Sequence, residues 1–189
     1  MRRTISLSAL LLAVAGPALA HPGHEASGFL HPFTGIDHLL AMVGVGLWAM
    51  LLAGRKPAMM VLVPGSFLVM MAAGAAAGFA GIKLPLVEAA ILASVFVIGG
   101  LLMATVRLPA ASAMAVVGLF ALFHGYAHAI EAPDSGAGAY MLGFLLASGL
   151  LQAVGLGLGW VVRQASGELA WRAVGGLVLA GGALALITN

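Results

Sequence analysis

No cysteine occurs in the 189 residues, so disulfides, thiolate metal sites and thiol nucleophiles are all excluded. Charge is nearly as scarce. Asp, Glu, Lys and Arg together make up 7% of the chain, against about 25% in an ordinary soluble domain. Water cannot wet such a surface, and 62% of the residues are hydrophobic, so lipid is the expected solvent. The formal charge of +2 is too small to attract nucleic acid, and the high pI reflects few acids rather than a basic patch. A phosphate-cradling G-x-x-x-x-G-K-[ST] loop is also absent, which argues against an ATP motor within the chain. No stretch alternates polar and apolar residues over the length of a barrel strand, which removes a membrane β-barrel.

What is present is a series of long apolar runs. The first twenty residues, MRRTISLSALLLAVAGPALA, read as a secretory signal: Arg2 and Arg3, an apolar run, Pro17, then the small-x-small Ala18-Leu19-Ala20. The run from Ile5 to Ala15 is short for a span of about 20 residues, so cleavage after Ala20 is expected rather than an anchor helix. Six segments of spanning length follow, at about 33–53, 58–80, 86–106, 110–130, 139–162 and 169–187. No loop between them can hold a second domain. In lipid every backbone polar group must be satisfied internally. Residues 21–189 are therefore expected to form one all-α membrane domain, a bundle of six transmembrane helices after a cleaved N-terminal signal peptide.

Loop charges orient the bundle. An external mature N-terminus puts Arg55, Lys56, Arg107, Arg163 and Arg172 inside and Lys83 outside, which satisfies the positive-inside rule of a bacterial inner membrane. Small residues promise close helix packing: GAAAG at Gly74–Gly78, then Gly155, Gly157, Gly159, Gly175 and Gly176. These also leave a homo-oligomer open. Pro64-Gly65 marks a candidate kink in the second helix.

Topology then gathers the polar groups. His31 lies just before the first helix, with Asp37 and His38 in its first turns; His124, His128 and Glu131 lie at the outer end of the fourth; Glu88 opens the third. Glu168 is the one acid near a helix end that falls on the inner side. His124 and His128 are four residues apart and share a helix face, their Cβ atoms about 5–6 Å apart. Such a pair is a known grip on metal, and imidazole suits nickel, copper, zinc and iron. Asp37 can ligate directly or hold an imidazole in its tautomer. Met42 joins the candidates through its spacing to His38, although most of the ten methionines are expected to be packing. His21 and His24 form either a capture arm, if cleavage frees the His21 amine, or a mobile polar tail. A membrane-embedded metal-dependent hydrolase, with Glu88 or Glu131 as base, is the competing reading of these residues.

The stretches HPFTGIDHLLAM (His31 to Met42) and FHGYAHAIE (Phe123 to Glu131) resemble the HupE/UreJ family of hydrogenase/urease accessory membrane proteins, the nickel permeases. The resemblance covers essentially the whole chain. It implies a non-enzymatic secondary transporter that takes up Ni²⁺, with Co²⁺ as a second cargo, for metalloenzyme maturation, and it implies no prosthetic group. The resemblance also implies functional roles for His31, Asp37, His38, Glu88, His128 and Glu131, and for Phe67 in the second helix. Ala129 stands where a glycine is common, a change that bears on packing more than on ligation. Five residues separate His31 from Asp37, one more than in the related motif of the larger nickel–cobalt transporter family.

Overall fold

The computed structural model describes residues 28–133, 136–165 and 167–188. The expected signal peptide (1–20), His21, His24, Glu25 and Asp134 lie outside them. Among the described residues every regular element is helical. A 3₁₀ turn, His31–Phe33, precedes α1 (Ile36–Ala53), α2 (Met59–Phe79), α3 (Val87–Met103), α4 (Ala110–Glu131), α5 (Ala137–Gln164) and α6 (Glu168–Thr188). Of these, α1, α2, α4, α5 and α6 are long and apolar enough to cross a membrane.

The helices pack in pairs, α2 along α4, α1 along α5 and α3 along α6, with α1 also touching α2, α3 and α6. That central place follows from its sequence, which is apolar on every face after His38 and so finds no preferred contact with water. Trp48, Met42, Val45 and Ala49 are buried in it. Glycine sets the closest approaches. A Cβ on Gly74 would strike the Leu122 backbone, and one on Gly125 the Met71 carbonyl, so the GAAAG segment presses α2 onto α4 backbone to backbone. Gly46 and Gly155 do the same for α1 against α5, meeting the Gln152 and Val43 carbonyls. Gly175 meets the Met103 backbone. Gly157 and Gly176, expected to be packing faces, instead have open space beside them, since helical rotation turns them away from the neighbour that Gly155 and Gly175 touch.

Two boundaries depart from the sequence expectation by three residues, the others by one or two at most. The first helix begins at Ile36 rather than at 33, because His31–Phe33 closes a tighter turn and Gly35 is extended. The third stops at Met103, three residues before the expected 106. There the Thr105 N–H donates to the Leu102 carbonyl and the Val106 N–H to the Leu101 carbonyl, the paired bonds that close a helix through a left-handed residue. Thr105 takes φ +50°, a conformation costly for a β-branched side chain. The buried Trp48 indole holds this corner, its Nε1–H donating to the Val106 carbonyl at 3.0 Å. At the equivalent end of α2 the left-handed residue is Gly81, φ +73°. Pro64 lies within α2, which runs on unbroken to Phe79.

Thr105→Gly should therefore stabilise the fold by up to about 1 kcal/mol, the left-handed penalty less the added chain entropy of glycine. Thermal unfolding in detergent checks this, and a lowered midpoint would contradict the strained corner.

Candidate metal centre

The start of α1, the end of α4 and the start of α5 meet at one end of the bundle, and four imidazoles meet with them. His31 on the 3₁₀ turn stands 4.7 Å, ring centroid to ring centroid, from His128 on α4. His128 stands 4.6 Å from His38 on α1, and His38 stands 5.3 Å from His124. The four rings thus form a continuous series with His38 and His128 in the middle. Gly125, pressed on Met71, carries the adjacent His124 into the interior.

Exposure is concentrated at the outer end of the series. The Glu131 side chain is 48% exposed and that of His31 38%, while His128 retains 1% and His38 13%. His124 is fully buried. An ion entering this end would meet a carboxylate and a half-exposed imidazole first, then buried rings.

Two of the rings are anchored by hydrogen bonds, and two face the Glu131 carboxylate. The Asp37 carboxylate accepts from both the His38 backbone N–H at 2.8 Å and His38 Nδ1 at 2.9 Å. In that tautomer Nε2 of His38 is the bare nitrogen. His124 Nδ1 lies 3.0 Å from the Phe120 carbonyl, one turn back, and donates to it, leaving its Nε2 bare as well. His128 Nδ1 lies 3.2 Å from Glu131 Oε2, yet neither of its ring nitrogens makes an aligned hydrogen bond among the described residues. We read that contact as electrostatic. His31 Nε2 lies 3.6 Å from the same carboxylate oxygen. Burial holds His31 below the usual histidine pKa, outweighing the nearby Glu131 charge, so its ring is neutral at neutral pH and can donate a lone pair.

The donor set fits a borderline divalent metal. His31, His128 and Glu131 can offer one ligand atom each within 4.8 Å of one another. Inward of them the Nε2 atoms of His38 and His124 are buried without a hydrogen-bond partner among the described residues. A buried nitrogen lone pair left unpaired is costly, and a metal ion is the partner that imidazole takes most readily.

The remaining sequence candidates are placed more loosely. Glu88 is exposed in the first turn of α3 and borders, with Asp37, an open hollow of about 340 Å³ that Leu92 and Leu186 also line. Asp37 therefore stands between that hollow and the imidazole series. Met42, one turn inward of His38, is fully buried in the apolar core. Glu168 pairs with Arg172 at 3.0 Å, away from the histidines. Phe67 packs against His124, ring centroids 5.8 Å apart.

Spacing gave no notice of Tyr140 and Phe144 on α5. The Phe144 ring lies 3.8 Å from that of His128, and Tyr140 lies 6.2 Å from His31. The available signal was two aromatics four residues apart at the outer end of the fifth apolar run. With Phe67 they wall the rings against water and fix their rotamers.

Asp37→Asn should lower the affinity of the purified protein for Ni²⁺ by about 10–100-fold, since it weakens the group that orients His38. Isothermal titration measures this, with circular dichroism showing unchanged helix content. Unaltered affinity would remove that orienting role.

The family model described as HupE / UreJ protein matches residues 9–185. Protein HupE of Rhizobium leguminosarum bv. viciae is 42% identical over 188 residues, covering 96% of this chain and 97% of its own. No solved structure matches. A helical apolar chain gathering histidines and carboxylates at one end, matched over nearly its whole length, belongs to the HupE/UreJ family of hydrogenase/urease accessory membrane proteins.

Proposed function

We propose that this chain is a secondary transporter that takes up Ni²⁺, with Co²⁺ as a second cargo, across the bacterial inner membrane by facilitated diffusion. It supplies hydrogenase or urease maturation. Six membrane-crossing helices follow a cleaved signal peptide, and the mature N-terminus is periplasmic. The observation that carries the reading is an imidazole series open at one end, exposed at Glu131 and His31 and largely buried at His128, His38 and His124. A structural metal site would be closed on all sides. Here one end of the ligand set, at Glu131 and His31, opens outward.

In this mechanism hydrated Ni²⁺ is drawn to Glu131, exchanges water for His31 and His128, and passes to His38 and His124. Asp37 supplies compensating charge through His38, and Glu88 adds a second carboxylate beside Asp37. No chemical conversion is involved. An inside-negative potential of about 100 mV gives a unit charge about 2.3 kcal/mol, and a divalent ion about twice that. That is enough for accumulation of about a thousandfold, so no nucleotide is required. Metal trapping by enzyme maturation draws the ion further inward.

Cells carrying His38→Ala or His128→Ala at equal protein level should lose uptake of radioactive Ni²⁺ to background. Unchanged uptake in both would overturn the site. The orientation has its own check, since the chain contains no cysteine of its own. Lys83→Cys should react with a membrane-impermeant maleimide from the periplasm, whereas Arg107→Cys should react only after permeabilisation; the reverse pattern would invert the topology.

A further inference from the structure

One buried face of α5 runs through Tyr140, Phe144, Ser148 and Gln152 at four-residue intervals. Its outer half is already part of the metal centre, because Tyr140 stands against His31 and Phe144 against His128. The two residues that continue the face inward are polar. Ser148 is fully buried and Gln152 is 1% exposed. The Ser148 hydroxyl and both side-chain polar atoms of Gln152 have no hydrogen-bond partner among the described residues.

Two serines within other helices, Ser66 and Ser94, behave differently. Ser94 Oγ donates to the Ile91 carbonyl at 2.6 Å and Ser66 Oγ to the Val63 carbonyl at 2.9 Å. That bond to the preceding turn is the usual refuge of a serine in an apolar helix. Ser148 does not take it, so its oxygen remains available. Gln152 is the longer case of the same thing. A buried amide without a partner is unfavourable compared with leucine, and the chain keeps one in its interior.

Depth gives the pair a role. Gln152 lies two helical turns inward of Phe144, about 12 Å along the axis. Gly46 on α1, also two turns inward of His38, lies against the Gln152 carbonyl. The two helices therefore agree that this level is well inside the bundle, beyond the imidazoles.

We infer that Ser148 Oγ and Gln152 Oε1 form an inner relay site, a pair of neutral oxygen donors that receives a partly hydrated divalent cation from the imidazole series. The inference rests on the transport reading above. Neutral oxygens hold Ni²⁺ more weakly than imidazole does. Weak inner ligation is what passage requires, because an ion must be bound well enough to enter and loosely enough to leave.

The test uses the purified full-length protein. Ni²⁺ flux is measured in proteoliposomes under an imposed inside-negative potential, and equilibrium Ni²⁺ binding is measured on the same preparations. Wild type should carry flux. Ser148→Ala and Gln152→Leu should keep equilibrium binding within about twofold but lose about tenfold or more in flux, the effect of removing one donor of hydrogen-bond strength. Gln152→Glu should bind Ni²⁺ more tightly and also pass it more slowly, because the added carboxylate traps the ion. Ser148→Ala removes a single oxygen, so it reads the site even if the Gln152 variants unfold. Flux at wild-type level in Ser148→Ala and Gln152→Leu would overturn the relay and leave the transport reading intact. Parallel loss of binding and flux would show a packing role and overturn the relay too. A wild type that binds Ni²⁺ but carries none would overturn both readings.

Discussion

The bond between Asp37 and His38 is the constraint on which the imidazole series turns. One carboxylate oxygen accepts from the His38 amide and from its ring, so the ring direction is tied to the backbone at the first turn of α1. His38 is then the ring that faces His31, His128 and His124 together. A free rotation at this position would break the series in its middle. Because α1 also contacts α2, α3, α5 and α6, the orientation of a single side chain is referred to nearly the whole bundle. An acid that costs energy to bury near hydrocarbon is justified here by fixing a neighbour.

Around that bond the helices are held by backbone approach rather than by side-chain bulk. In lipid there is little hydrophobic drive for helices to associate, so van der Waals packing of small residues must do it. Gly74 and Gly125 are reciprocal in this respect, each pressed against the backbone of the opposite helix. Their contact sets the depth at which His124 and Phe67 face each other. The packing motif and the ligand motif are therefore interleaved on α4, FHGYAH, with the glycine between the two histidines.

Much of this was legible in the sequence. Six apolar runs gave six helices to within a few residues at most ends, and the spacing of His124 and His128 placed both on one face. Topology alone brought His31, His38 and Glu131 to the same end. What was not legible depended on three-dimensional contact. The early stop of α3 is a local choice at Thr105, supported by a tryptophan 58 residues away. Gly157 and Gly176 differ from Gly155 and Gly175 only in the direction they face. Tyr140 and Phe144 carry no pattern that separates a wall of a metal centre from ordinary packing. Ser148 and Gln152 were visible as polar residues within an apolar run, but that both lack partners could be read only once their neighbours were known.

The shortness of α3 has a consequence for the surrounding bilayer. Seventeen residues make a rod of about 26 Å, against a hydrocarbon core of about 30 Å. Such a mismatch is met by local thinning or by polar anchors at the ends; Lys83 precedes this helix, Glu88 lies in its first turn and Arg107 follows it. That flank carries the hollow that Asp37 shares with Glu88. In a membrane, then, α3 and the 18-residue α1 span less of the hydrocarbon beside Asp37 than the lengths of α2, α4, α5 and α6 would imply.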